Sequence, residues 1–174
     1  MKNPLLAQAL FSALIHAEIA VWNRLEHELW ATPNAATLGR FLTLKTIAAA
    51  APHAVRINDI AVAQHITLSA ASRLVDRLVT DGLVDREPDP TDRRATALRI
   101  TDEGRIRLDA SSVVFERAVH DLVEDFDPDV ISSLTDSLTR LAVTAESAFS
   151  SASRTPAANK RSRSRAITRP ALSH

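Results

Sequence analysis

Two short stretches of this sequence hold the side chains best suited to chemistry. In Leu68-Ser-Ala-Ala-Ser-Arg-Leu-Val-Asp-Arg77, a helix that turns Leu74, Val75 and Leu78 inward leaves Ser69, Ser72, Arg73 and Arg77 mainly outward. Small side chains near its start let such a helix sit deep in the major groove of a duplex, where serine hydroxyls reach base edges or phosphates. Arg73 and Arg77, one turn apart, can each reach a guanine edge or a phosphate, and Thr67 stands at the helix entrance beside them. In the second stretch, Arg93 and Arg94 lie between prolines and alanine on a connection where a guanidinium can enter a minor groove. Asp92 can hold Arg94 by a paired hydrogen bond. Serines and arginines on an outer face, or an Asp-Arg-Arg turn, also suit a merely solvated surface, so the surrounding elements must decide.

Those elements read as mainly α. A first helix spans about Pro4 to Trp30, with Leu6, Leu10, Ala13, Leu14, Ala17, Val21, Leu25 and Leu29 in one apolar stripe. A second spans about Leu38 to Ala50, with Thr37 as its cap, and Pro52 ends it. Asn58 caps a short helix over 59–64, and Thr67 caps another from Leu68 to Asp81, closed by Gly82 in the left-handed position. Two helices joined this tightly read as a helix-turn-helix. The period then changes: 83–87 and 96–101 read as strands joined by the Pro- and Asp-rich 88–95. Thr101, followed by Asp102 and Glu103, starts a helix to about Asp125, and Asp127-Pro128-Asp129 starts a last one carrying Ile131, Leu134, Leu138, Leu141, Ala145 and Phe149. The fold class is therefore mainly α with a small β-hairpin wing: a winged helix-turn-helix flanked by long dimerisation helices.

Composition narrows the function. The chain has 174 residues, a formal net charge of zero, 45% hydrophobic residues and no cysteine. The lack of cysteine removes disulfides, thiolate metal sites and thiol redox sensing. Zero net charge hides an imbalance. Residues 150–174 carry six basic residues and no acid, leaving 15 basic against 21 acidic residues before them, a net of −6. Over 53–101 the count is seven of each, so any attraction for phosphate is local. No uninterrupted apolar run has membrane-span length and no signal-peptide pattern opens the chain, so the expectation is a cytoplasmic protein without a membrane partner. A phosphate loop, nucleophile elbow, metal pair and triad are all missing, so no enzyme and no cofactor is expected. The histidines are scattered, and Glu116 with His120 supplies only two candidate ligands where zinc takes three or four, so no metal site is expected either.

Ser72 to Arg86 (SRLVDRLVTDGLVDR), Asp89 to Arg94 (DPTDRR) and Leu98 to Gly104 (LRITDEG) together resemble the core of a MarR-family regulator. The helix order agrees over roughly residues 5 to 149, while the specific motifs lie between 66 and 104. The resemblance implies a homodimer built from the first and last two helices. It also implies winged-helix binding to a near-palindromic double-stranded operator, and repression relieved by a small ligand. By resemblance, Arg73 and Arg77 fall at recognition-helix positions, while Asp92 and Arg94 form the wing's Asp-x-Arg pair. Effectors in the family bind between dimer helices and winged helix, where His16, Trp22, Arg24, His27 and Trp30 could line a pocket for a small aromatic or phenolic molecule; the two tryptophans equally suit core or dimer contacts. The expected divisions are 1–36 (dimerisation helix and loop), 37–101 (winged helix-turn-helix), 102–149 (dimerisation helices) and 150–174 (disordered basic tail). The rival reading is a winged-helix adaptor that binds protein rather than DNA.

Overall fold

The computed structural model describes residues 3–89 and 95–153, with side chains as far as residue 147. The elements are α1 (Pro4–Trp30), α2 (Leu38–Ala49), α3 (Ile57–Ala63), α4 (Leu68–Thr80), β1 (Val84–Pro88), β2 (Thr96–Ile100), α5 (Asp102–Val123) and α6 (Pro128–Ser153). They form two compact units, one ending at Glu124 and the other containing α6.

In the first unit α2 is central. Leu38, Phe41, Leu44 and Ile47 of α2 are buried with Leu25 and Leu29 of α1, Ile60 of α3, Val75 and Leu78 of α4, and Val84 and Leu98 of the hairpin. Phe41 meets Phe115 of α5 with ring centroids 5.0 Å apart and planes tilted by 42°, and Lys45 Nζ lies over both rings. Buried hydroxyls tie the elements together. Ser111 Oγ on α5 donates to the Arg107 carbonyl (2.6 Å) and accepts from the Ala36 amide (2.8 Å), fixing the α1–α2 loop. Thr43 Oγ1 donates to the Gly39 carbonyl and accepts from Gln64 Nε2, both at 2.8 Å, so α2 holds the end of α3.

Helix starts differ from expectation where a remote group does the capping. Thr37 makes no side-chain cap; Glu26 of α1 instead accepts from the Leu38 amide at 2.8 Å. α3 begins two residues early, with Arg56 rather than Asn58 at the cap, and its amide donates to Asp59 (2.8 Å). Both strands shift slightly, because the Leu83 amide closes α4 on the Leu78 carbonyl (2.9 Å) and cannot join the ladder. Val55 adds a bridge beyond β2, accepting from the Leu98 amide at 2.7 Å. By length and average composition α1 would pass for a membrane span, with a mean hydropathy of 1.6 over an 18-residue window, a feature the run-by-run reading of the sequence does not show. Gln8, Ser12, His16 and Glu18 break the uninterrupted runs without lowering that average much.

In the second unit, Asp127 accepts from the Asp129 amide (2.8 Å), with Pro128 in the first turn as expected. Val130, Leu134, Leu138, Leu141 and Val143 are exposed along α6. The helix runs to Ser153, four residues into the expected tail; 154–174 lie outside the described residues.

Candidate nucleic-acid interface

α4 is positioned at both ends and along one side. Thr67 Oγ1 accepts from the Ala70 amide (3.2 Å) at its start. At its end Gly82 takes φ +71°, its amide donating to Val79 and that of Leu83 to Leu78, the paired closure that a left-handed residue permits. The turn before it also needs a left-handed residue, and His65 supplies it at φ 52°. Ala71, Val75 and Leu78 are buried, so the opposite face must point away from the core.

That outer face holds most of the expected group. Ser69, Arg73 and Arg77 are exposed, while Ser72 is half-buried, nearer the core than its expected outward position. Arg73 Nη1 donates to Ser69 Oγ at 3.3 Å, which steers the guanidinium along the first turn. Asp76 lies between the two arginines in sequence, but its carboxylate is engaged by Arg86 of β1 at 2.6 Å. Arg40 of α2 binds Asp81 at 2.6 Å and so holds the helix end. The exposed face therefore offers hydroxyls and guanidiniums.

Beside it, β1 and β2 pair antiparallel from Val84↔Ile100 to Pro88↔Thr96, and the Asp89 amide extends the ladder to the Ala95 carbonyl (3.0 Å). Arg99 and Glu87 bridge the outer surface at 2.8 Å. The expected wing residues Asp92, Arg93 and Arg94 lie outside the described residues. The junction with α5 explains the Thr-Asp-Glu-Gly run. Thr101 Oγ1 donates to the Gly82 carbonyl (2.8 Å) and accepts from the Gly104 amide (3.0 Å). A Cβ on Gly104 would stand 2.1 Å from the Leu83 carbonyl oxygen, so only glycine lets α5 approach.

Sequence reasoning did not single out Arg56 or Asp89. Asp89 is 2% exposed at the loop end of the hairpin ladder, and Arg56 Nε and Nη2 both reach its Oδ2 at 2.8 Å. The only sequence signal was an acid between two prolines, which reads equally well as a turn.

The five residues named for an effector pocket are not gathered by this chain. His16, Trp22, His27 and Trp30 are exposed along α1. Arg24 pairs with Glu28 at 3.0 Å and lines an open α1–α5 cleft of about 140 Å³ with Thr32, Val114 and Arg117. At the end of α5, His120, Asp121 and Glu124 form an exposed cluster of which Glu116 is not a member.

A family model described as the MarR family matches residues 37–95. A Bacillus subtilis (strain 168) protein described as an uncharacterized HTH-type transcriptional regulator is 31% identical over 84 residues, 48% of this chain and 51% of that protein, so the match spans about half of the relative. The fold is similar to that of CouR from Rhodococcus jostii RHA1 bound to p-coumaroyl-CoA, with 23% identity, TM-score 0.69, and 82% and 96% of the two chains covered. CouR bound to a 23-mer DNA duplex gives 26% identity, TM-score 0.69, and coverage of 82% and 98%. A cysteine-to-serine mutant of E. coli MarR complexed with operator DNA gives 25%, 0.65, and coverage of 75% and 91%.

Proposed function

We propose that this chain, similar to the MarR family over 37–95 and in fold to MarR-family structures bound to DNA, is a homodimeric transcriptional regulator, acting as a repressor that a small molecule releases from a near-palindromic DNA operator. The observation that carries this reading is α4, which has a buried aliphatic face and an outer face bearing Ser69, Arg73 and Arg77. It is held end to end beside a two-stranded hairpin. In this reading α4 enters the major groove, with Thr67 and Ser72 flanking the contact. Arg93 and Arg94, the latter steadied by Asp92, enter the minor groove. The exposed apolar face of α1 supports self-association, and a two-fold axis sets two recognition helices ~34 Å apart, one turn of duplex. On this assignment 37–101 binds DNA, while 1–36 and 102–149 hold the dimer.

The protein acts in the cytoplasm, by occupancy of DNA rather than by catalysis. An aromatic or phenolic effector is the class we assign. CouR, which shares the fold, is bound to the coumaroyl thioester in its structure, and His16, Trp22, Arg24, His27 and Trp30 meet a pocket only when the second chain is present. The six basic residues beyond Ser153 add phosphate contacts, each steepening the salt dependence by a slope of ~0.9.

A gel shift with the DNA immediately upstream of the protein's own coding sequence tests the proposal. The wild-type chain forms a discrete complex, and Arg73→Ala or Arg94→Ala abolishes it with dimer mass and helix content unchanged. Undiminished binding by both variants overturns the DNA reading in favour of a protein-binding adaptor. Deleting 154–174 flattens the salt slope; an identical slope removes the tail from the account.

A further inference from the structure

The DNA reading above gives Arg94 to the wing and Arg73 and Arg77 to α4, but leaves open what fixes one relative to the other. We infer that Arg56 is a positioning residue for the hairpin: through its grip on Asp89 it locks the loop end of the ladder to the start of α3, and so sets how β1 and β2 are presented to the duplex.

Three observations carry this. Asp89 is 2% exposed, yet it stands where the hairpin ladder ends, its own amide bonded to the Ala95 carbonyl at 3.0 Å. A carboxylate so far from water requires charged or hydrogen-bonded partners. Arg56 supplies two N–H groups to a single oxygen, both at 2.8 Å, across 33 residues of sequence. Arg56 is itself fixed. It is the cap residue of α3, its amide bonded to Asp59, and its carbonyl accepts from the Asp59 amide (3.0 Å). The neighbouring Val55 carbonyl accepts from Leu98 of β2 at 2.7 Å. The segment 55–56 thus grips both strands of the hairpin, β2 through the backbone and the end of β1 through a buried ion pair. β1 has a second side-chain tie, Arg86 to Asp76 of α4, but both partners there are well exposed and the bond lies at the middle of the strand.

The test uses the full-length protein and a duplex selected by the wild-type chain from a randomised 30-base-pair library. Arg56→Ala binds that duplex about tenfold more weakly, with a salt slope shallower by roughly one or two phosphate contacts at ~0.9 each. Arg56→Lys restores part of both. Asp89→Asn separates positioning from direct contact, because it leaves Arg56 in place and removes only the charge at Asp89. Positioning predicts weaker binding for Asp89→Asn, and a double variant no worse than the worse single one. Equal or tighter binding by Asp89→Asn, or additive losses in the double variant, assigns Arg56 to the DNA itself and overturns the inference. Hydrogen exchange without DNA guards against misfolding: Asp89 and Leu98 amides exchange faster in Arg56→Ala while those of α4 keep their protection, and unchanged exchange at Asp89 also overturns it. A wild-type chain that selects no sequence sinks the DNA reading and this inference together. Selection by the wild type with an unaltered Arg56→Ala sinks only the inference.

Discussion

One helix shows two kinds of burial. In the last turns of α1, Leu29 is 1% exposed and Leu25 is buried, both in contact with the winged-helix core. In its first turns Leu5 is 72% exposed and Phe11 66%, with Leu6, Leu10 and Ile19 also open to solvent. The residue types are the same and the helix is continuous; only the neighbours differ. The winged helix completes its core within one chain, whereas the arm carries an apolar surface longer than a solvated helix tolerates, which the proposed dimer would cover with a second copy. On the proposed function, the geometry of α4 and the hairpin is fixed by each chain alone, and the spacing between two copies by the pair.

Substitutions separate the two regions. The largest effect is expected at the α5 junction. Gly104→Ala drives a Cβ into the Leu83 carbonyl and costs about 4 kcal/mol in urea unfolding followed by circular dichroism. Leu29→Ala removes a fully packed side chain and costs about 3 kcal/mol at any protein concentration. Its counterpart Phe11→Ala changes the unfolding of the dissociated chain little, but raises the dimer dissociation constant in sedimentation. A loss for Phe11→Ala as large and as concentration-independent as that for Leu29→Ala would erase the distinction between core and arm. Ser111→Ala orphans the buried Ala36 amide and costs about 2 kcal/mol. Arg99→Ala breaks a surface pair with Glu87, 62% and 44% exposed, and costs less than about 0.5 kcal/mol.

How far the sequence could be read follows the same division. α1 begins and ends where its proline entry and apolar stripe place it, and α4 shows its Thr67 cap, buried face and Gly82 closure plainly, because every signal there is local. Signals fail where a partner is distant. Glu26 takes the capping role expected of Thr37 from twelve residues away, and Ser111 reaches Ala36 across 75. Val55 pairs through a single bridge, too short to give alternation. The acid expected to matter in the wing was Asp92, while the ion pair at the loop end of the hairpin ladder uses Asp89 and an arginine before α3. The residues proposed for an effector illustrate the other limit: His16, Trp22, His27 and Trp30 are exposed along α1, and the periodicity of one helix does not say what would cover them.

Hydroxyl-radical footprinting of the wild-type protein on its selected duplex tests the central claim most directly, because it reads groove contact and pairing in one experiment. Two equivalent protected patches on one face, centred ~10 base pairs apart with protected minor-groove sugars outside them, are the predicted result. A single unpaired patch, or uniform protection without sequence register, would contradict it.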